Sequence, residues 1–290
     1  MKGLAFLALA AAGLFWGLGF PLGKLVLRET DAANMILLRF VFASLAAAPF
    51  VLLRKDTRAL FGAPSVWLCG ALYGVAFLVQ FEGLARSSVT LAALLVGLMP
   101  ALIALCGRFM GEKAGRTVWI GVACATLGAA VIAGRPGGAA SPVGLALMLG
   151  ALLIFLAWLV VFRRTPTPPT PLALPAATMM IGFLTILPIT LLLHGGPKLD
   201  LSPGAWAALA TQGLFSTLMA TACWQFGLRH VGSASAGVFV NIEPLMGSTI
   251  GVLMFGDRLT PALVAGGVLI LAGSVVVVLG ERRPEAVTPA

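Results

Sequence analysis

The sequence predicts an all-α polytopic membrane protein with ten transmembrane helices in two inverted five-helix repeats. Three observations carry this prediction. The composition is 60% hydrophobic and only 10% charged, whereas a soluble domain carries about 25% charged residues. The apolar residues form ten stretches, each close to the ~20 residues that cross a bilayer. The two halves of the chain also share motifs at a constant offset.

The composition also limits the possible functions and partners. With 19 basic and 10 acidic residues among 290, the chain is too poor in charge to solvate a globule, which argues against a soluble enzyme, a nucleic-acid binder or a disordered protein. We attribute the net charge of +9 to Lys and Arg in cytoplasmic loops. The four cysteines lie in apolar stretches without a C-x-x-C pair, and the histidines are only two, so we expect no metal, disulfide or cofactor.

Charged residues and Pro/Gly clusters set the boundaries of the ten apolar stretches. The first continues past Trp16 to Leu27, longer than the core of a secretory signal, so we expect it to be a retained helix. Short connections between stretches leave no room for a separate soluble domain. The predicted spans are 3–27, 33–53, 64–85, 87–107, 117–134, 142–162, 173–193, 204–228, 232–254 and 261–280.

Basic residues predict the orientation of these spans. The loops on one side hold twelve Lys and Arg residues and those on the other hold six, while Arg39 lies within a span. Because cytoplasmic loops are enriched in Lys and Arg, we expect both termini in the cytoplasm and the chain in a bacterial inner membrane.

The internal repeat is the most informative feature of the sequence. Two pairs of dipeptides match at an offset of 144, and three further matches follow at an offset of 145 after a one-residue slip. The halves are thus 1–140 and 141–290 with five spans each, and an odd number of spans inverts the second repeat, as in many secondary transporters. The matches are Gly83-Leu84 with Gly227-Leu228, Met99-Pro100 with Glu243-Pro244, Gly111-Glu112 with Gly256-Asp257, Gly121 with Gly266, and Gly128 with Gly273.

These motifs resemble those of the drug/metabolite transporter superfamily, specifically its EamA-type members. The first span reads Trp16-Gly17-Leu18-Gly19-Phe20 with Lys24 after it, like the family's W-G-x-x-F-x-x-x-K, and the second carries Arg39-Phe40 with Ala43, like R-F-x-x-A. Among such proteins the chain is most similar to amino acid and metabolite exporters of the YddG type. It departs from the family at Met99-Pro100, where many members have Glu-Pro.

The resemblance implies a transporter that exports small metabolites, amino acids (aromatic and neutral ones included) first among them, by alternating access around a central cavity. The expected partners are this small-molecule substrate and the lipid bilayer, with no nucleic acid, and the chain is expected to be a monomer. Export or import of another metabolite, such as a nucleobase, a sugar derivative or a drug, stays open, as does a passive pore. No Walker loop, H-E-x-x-H or G-x-S-x-G motif is present, so we expect neither ATP-driven transport nor an enzyme.

Glu243 is the sharpest candidate for function. It lies near the middle of the ninth predicted span, where an ionisable group costs about 3 kcal/mol on insertion scales. The adjacent Pro244, like its repeat mate Pro100, removes a backbone hydrogen bond and loosens its helix, so both prolines are candidate hinges. We expect Glu243 to contact a substrate ammonium or to carry a proton; support of the helix break is the alternative.

Three other charged residues are candidate gate elements. Arg39 and Glu82 fall at similar depth near the outer ends of spans two and three, so they can pair, as a breakable gate or as a static pair. Lys24 either extends to the interface or anchors a substrate carboxylate. The remaining candidates are polar or aromatic residues within spans, expected to line the cavity or to pack between helices: Trp16, Tyr73, Gln80, Trp158, Trp224, Gln225 and Asn241.

Overall fold

A computed structural model describes residues 2–109, 115–134, 140–162, 164–166, 170, 172–230 and 239–281. These residues form helices and turns, with no β-strand in the described ranges apart from an isolated antiparallel bridge between Ser87 and Ala140. The helices are α1 Lys2–Val26, α2 Ala32–Leu53, α3 Lys55–Ala59, α4 Pro64–Ala85, α5 Val89–Val96, α6 Met99–Phe109, α7 Arg116–Gly134, α8 Pro142–Phe162, α9 Ala173–His194, α10 Pro203–Thr211, α11 Ala220–His230, α12 Ile242–Phe255 and α13 Pro261–Glu281.

Seven segments in the described part of the chain are long and apolar enough to cross a membrane, and two shorter apolar helices lie at Arg116–Ile132 and Ile242–Phe255. The prediction of an all-helical protein with several membrane spans is therefore confirmed, whereas ten crossings stay a prediction. The start of the ninth predicted span and the Gly111-Glu112 motif lie outside the described residues. The seven are Gly3–Val26, Ala32–Leu53, Pro64–Ala85, Val89–Cys106, Pro142–Phe162, Ala173–Leu193 and Pro261–Gly280.

Both predicted proline breaks coincide with the start of a helix. The helix α5 ends in a turn at Gly97 and Leu98, and Pro100 is the second residue of α6. Pro244 is the third residue of α12, which follows a turn at Asn241. Proline is tolerated in the first turn of a helix because the backbone N–H there has no helical partner. The prolines thus begin new helical segments rather than bend continuous ones.

A third irregularity was not predicted. Between α10 and α11 the chain forms a π-helix over Gln212–Met219. Such segments widen a helix by one residue per turn and are frequent at functional sites. Here Gln212, Gly213, Ser216, Thr217 and Leu218 of the π-helix are buried.

Helices from the two halves of the chain pack against each other throughout the bundle. Contacts join α1 to α11 and α12, α4 to α8 and α9, α2 to α9, α5 to α12, and α7 to α13. Most of the core between them is one large cluster of buried apolar side chains, among them Phe40, Phe81 and Leu95, and a smaller cluster includes Val66 of α4 and Ile181 of α9. The protein interior is therefore built mainly by contacts between its first and second halves.

Glycines allow the closest of these approaches. A Cβ atom added to Gly121 would lie 2.6 Å from the carbonyl oxygen of Gly273, and one on Gly128 would lie 2.5 Å from that of Gly266. Because the partner number falls as the residue number rises, α7 and α13 run antiparallel. Close approach also occurs at Gly13/Gly17, Gly70/Gly74 and Gly247/Gly251, since an added Cβ at each would lie within 3.2 Å of an atom outside its own helix.

We expect Gly121→Val to lower the thermal stability of the protein, because the valine side chain would overlap backbone atoms of α13 that cannot move independently. Overpacking of this kind costs about 1–3 kcal/mol. Thermal unfolding of the purified protein in detergent measures the effect. The matched control is Gly150→Val in α8, where no atom beyond the adjacent backbone of its own helix lies within 4 Å of an added Cβ. Equal melting temperatures for the two variants would contradict the tight α7–α13 contact.

Candidate functional site

A cavity with about 160 Å³ of space open to water-sized molecules lies where helices of both halves converge. Its walls come from α1, α2, α4, α5, α6, α8, α11 and α12, so no single helix or half encloses it. The lining is mainly aromatic and aliphatic, with few polar groups. It comprises Trp16, Gly19, Phe20, Arg39, Tyr73, Phe77, Gln80, Phe81, Val96, Met99, Ile103, Leu152, Phe155, Trp158, Leu159, Trp224, Val240 and Glu243.

Aromatic rings form most of one wall. Tyr73, Phe77 and Phe81 are spaced by four residues on α4, which places them on one face of the helix. The Tyr73 and Phe77 ring centroids lie 4.8 Å apart with perpendicular rings, and Trp158 of α8 lies 5.2 Å from Tyr73. Trp16 of α1 and Trp224 of α11, also in the lining, lie 5.5 Å apart. Flat apolar surfaces of this kind suit the body of a small aromatic or aliphatic molecule.

Arg39 places a buried cation in this apolar wall. Its side chain is only 1% exposed, and its guanidinium carbon lies 4.2 Å from the centroid of Phe77 and 5.3 Å from that of Phe81. Nε donates to the Thr217 hydroxyl at 2.6 Å and Nη2 to the Ser216 carbonyl at 3.3 Å. Nη1 is buried and has no hydrogen-bond partner among the described residues.

The π-helix explains how Arg39 is held. Thr217 donates its hydroxyl proton to the Gln212 carbonyl five residues earlier at 2.8 Å, which fixes the hydroxyl oxygen as the acceptor for Arg39. Thr221 donates to the Thr217 carbonyl at 2.7 Å, and its oxygen lies 3.0 Å from the Tyr73 hydroxyl. This buried chain of hydrogen bonds ties α2 and α4 to the widened turn, so the orientation of the guanidinium is set by the second half of the chain.

Glu243 is the other charged group of the cavity. It lies in the first turn of α12, where the positive end of the helix dipole stabilises a carboxylate, and it interacts electrostatically with Arg39. The two described side chains are nevertheless not in ion-pair contact, since no nitrogen–oxygen approach within 4.0 Å joins them. The cavity lining thus contains one guanidinium and one carboxyl group that are not directly bonded to each other.

The expected pairing of Arg39 with Glu82 is wrong. Glu82 accepts from Arg86, one turn further along α4, and both side chains are about one-third to one-half exposed. Arg39 instead bonds the π-helix. Similar depth in the sequence did not bring the two side chains together because they point to different faces of the bundle. Glu82 and Arg86 form an exposed pair outside the cavity.

Lys24 neither extends freely to the interface nor faces the cavity. Its ammonium group donates to the carbonyls of Leu84 and Ser87 at 2.8 and 2.6 Å, at the C-terminal end of α4. Asp257, just after α12, attracts it electrostatically and accepts from the Thr90 backbone N–H of α5 at 2.7 Å. Lys24 and Asp257 therefore join four helices at one end of the bundle.

A second link lies at the same end. Glu29, after α1, accepts from the Ser202 backbone N–H and hydroxyl, both at 2.7 Å, where Ser202 caps α10. The Ser202 backbone N–H foremost, and its hydroxyl, hold the pKa of the exposed Glu29 below its ordinary value. Asn34 adds a reciprocal contact, since its side chain accepts from the Lys198 N–H and donates to the Lys198 carbonyl. We call this end, where α1 ends, the linked end.

The structure brings together five of the seven polar and aromatic residues predicted for the cavity, together with Glu243. The other two lie elsewhere: Gln225 is buried but does not line the cavity, and Asn241 accepts from Ser274 of α13 at 2.8 Å. Pro100 and Pro244 are buried beside the cavity, next to the lining residues Met99 and Glu243. Their role as hinges stays a prediction.

Sequence reasoning missed Arg39 as a cavity residue and overlooked the phenylalanines Phe20, Phe77, Phe81 and Phe155. The four-residue spacing of Tyr73, Phe77 and Phe81 was an available signal for one aromatic face on α4. No sequence signal marked the π-helix, whose residues Thr217 and Ser216 accept hydrogen bonds from Arg39.

Comparison with known proteins places these features in a family. The sequence model of the EamA-like transporter family matches residues 3–134 and, a second time, residues 142–279. A probable terminal-alkyne amino-acid exporter of Streptantibioticus cattleyicolor is 26% identical, with 97% of this chain and 96% of that one covered. A probable biotin transporter of Pseudomonas aeruginosa is 25% identical, with 94% and 97% covered.

Two further matches are a sequence relative and a solved structure. YyaM, an uncharacterized transporter of Bacillus subtilis, is 26% identical over 67% of this chain, and the match spans 65% of that relative's length. One solved crystal structure superposes with a TM-score of 0.68, covering 96% of this chain and 99% of its own. At 20% sequence identity, this likeness concerns the fold alone.

Proposed function

Because the chain belongs to the EamA-like transporter family, we propose that it is a secondary-type transporter that exports small metabolites, amino acids first among them, across a bacterial inner membrane. The observation that carries the proposal is the cavity between the two halves, which has aromatic walls and contains one cation and one carboxylate. The narrower likeness to YddG-type exporters belongs to the same proposal.

An amino acid matches the chemistry of this cavity. Both charged groups of a zwitterion need partners in an apolar environment, and the cavity wall contains one arginine and one glutamate. Its ammonium can contact Glu243, and its side chain can lie against Trp16, Tyr73 and Trp158. A substrate with a long polar body, such as a disaccharide, would leave most of its hydroxyl groups without partners in a cavity with so few polar groups.

Alternating access is the transport mechanism we propose, with ten spans in two inverted five-helix repeats. Exchanging the two halves turns the contact of α4 with α8 into that of α11 with α1, and leaves the α2–α9 and α7–α13 contacts unchanged. It also turns the Gly121–Gly273 approach into the Gly266–Gly128 approach. Two halves with equivalent interfaces can rock between two related arrangements around one site.

Flux into proteoliposomes tests this function. We expect uptake of radiolabelled phenylalanine or leucine that saturates with concentration, is inhibited by unlabelled amino acids, and is accelerated by the same amino acid on the opposite side. The measurement is made with and without a pH gradient, and liposomes that contain the heat-inactivated protein are the control.

The alternatives predict other results from the same assay. Inhibition by a nucleobase, a sugar derivative or a drug, but by no amino acid, would keep the transporter and replace its substrate. Flux that never saturates and shows no counterflow would indicate a passive pore, and would overturn the alternating-access proposal.

Topology provides a separate test. We expect reporter fusions after Arg116 and after Arg164 to read cytoplasmic and a fusion near Lys198 to read periplasmic, because twelve basic residues lie on the side that should be cytoplasmic. Reporter activity is compared at equal expression levels. A periplasmic signal after Arg164 would contradict the inverted arrangement of the halves.

A further inference from the structure

We propose that Arg39 binds the carboxylate of the transported molecule, so that the substrates are small carboxylates with an apolar or aromatic body. The inference rests on the proposed transport function and deepens it, because it names the substrate class and the residue that recognises it. Neither the family match nor the names of the relatives assign a role to Arg39.

The hydrogen bonds of Arg39 leave part of its guanidinium unused. A guanidinium has five N–H donors; the structure engages one through Nε and one through Nη2, and leaves Nη1 without a partner among the described residues. A buried donor on a charged group that lacks an acceptor is costly. A ligand carboxylate supplies two acceptor oxygens in the geometry that fits a guanidinium edge.

The surroundings hold the guanidinium ready for such a ligand. Phe77 and Phe81 pack against it at 4.2 and 5.3 Å, and Thr217 fixes Nε at 2.6 Å. A cation that is already desolvated and oriented loses little conformational freedom when an anion binds. These contacts make Arg39 a preformed anion site, in contrast to a mobile surface arginine.

No other described cation of the cavity wall competes for this role. Lys24, the earlier candidate for a carboxylate anchor, is held by the carbonyls of Leu84 and Ser87 at the linked end and is absent from the described lining. Glu243 lines the same cavity and forms no ion pair with Arg39, so a carboxylate can bind at Arg39 while an ammonium faces Glu243. The two charges then orient an amino acid in one direction along the cavity.

Binding of matched ligand sets to the purified full-length protein tests the inference. One set is phenylalanine, 3-phenylpropionate and 2-phenylethylamine; the other is leucine, 4-methylpentanoate and isoamylamine. Binding is measured by calorimetry in detergent. We expect the acids of at least one set to bind and the amine of that set to bind about tenfold more weakly or not at all. An amine that binds as well as its acid, or the absence of binding by every acid, would overturn the inference.

Variants locate the effect at Arg39. We expect Arg39→Met to lose acid binding, and Arg39→Lys to bind about tenfold more weakly because a single ammonium cannot donate in the planar two-bond geometry. Arg86→Met is the matched control, since Arg86 is an exposed arginine paired with Glu82 outside the cavity. Unchanged acid binding in Arg39→Lys and Arg39→Met would overturn the inference; if Arg39→Met does not fold, the ligand sets and Arg39→Lys decide.

The flux assay separates this inference from the transport function. Saturable counterflow of a molecule without a carboxylate would leave the transporter intact and contradict the role of Arg39. Acid binding that depends on Arg39, without saturable flux of any acid, would support the site and contradict transport.

Discussion

Glu243→Gln is expected to weaken amino acid binding and export about tenfold or more at every pH, while the binding of acids that lack an amino group stays near that of the wild type. The carboxylate lies in the cavity wall at the start of α12, and glutamine keeps its size but removes its charge. A hydrogen bond to a charged group contributes about 1.5–3 kcal/mol, and 1.4 kcal/mol corresponds to a factor of ten in affinity.

One other result would assign Glu243 a different role. Loss of only the flux driven by a pH gradient, with substrate exchange at equal pH intact, would make it a proton carrier. In that case Arg39 and Tyr73, the charged and titratable groups of α2 and α4 that interact with it, would determine when it ionises.

Near wild-type transport and pH dependence in Glu243→Gln would exclude both functional roles and leave support of the helix start, since an amide can still form hydrogen bonds there. Glu82→Gln is the matched control, because Glu82 is a partly exposed glutamate bonded to Arg86 and lies outside the cavity. We expect that variant to transport like the wild type.

Asp257→Ala is expected to open the linked end of the bundle. The carboxylate of Asp257 accepts from the Thr90 N–H and attracts Lys24, so alanine removes a link among α1, α4, α5 and α12. An unpaired buried N–H costs about 1–3 kcal/mol, enough to shift the equilibrium between closed and open forms about tenfold. If Lys24 belongs to a gate, the cavity should then become accessible from this end.

Cysteine labelling measures that access. The four native cysteines, all free, are replaced, and a single cysteine is introduced at Phe20, a cavity residue that is only 2% exposed. Right-side-out vesicles are treated with a membrane-impermeant maleimide, because the positive-inside prediction places the linked end in the periplasm. We expect labelling to be about tenfold faster in the Asp257→Ala background than in the parent protein.

Asp257→Asn provides the control, because its amide oxygen can still accept from Thr90 but no longer attracts Lys24; we expect an intermediate rate. Equal labelling of the parent and Asp257→Ala proteins would contradict a gate at the linked end. Faster labelling only in inside-out vesicles would contradict the predicted orientation of the chain.

The sequence by itself determined the helical membrane fold and the family, because both are recognised from local features of the chain. Apolar stretches of bilayer length need no partner to be recognised, and family motifs such as Trp16-Gly17 and Arg39-Phe40 are local. The paired prolines Pro100 and Pro244 also indicated two irregular points, which the structure shows as helix starts instead of bends inside continuous helices.

Only the tertiary structure decided which charges meet. The depth of a residue in its span does not specify which face of the helix carries it or which helix lies opposite. Arg39 was therefore expected to bond Glu82, but it donates to Thr217 and Ser216, which lie far away along the chain. Lys24 likewise donates to backbone carbonyls at the end of α4 and does not line the cavity. In a low-dielectric interior a buried charged group forms hydrogen bonds with the polar groups that helix packing places within reach. Which groups these are depends on the rotation of each helix about its axis and on the π-helix, and no local sequence pattern predicted either.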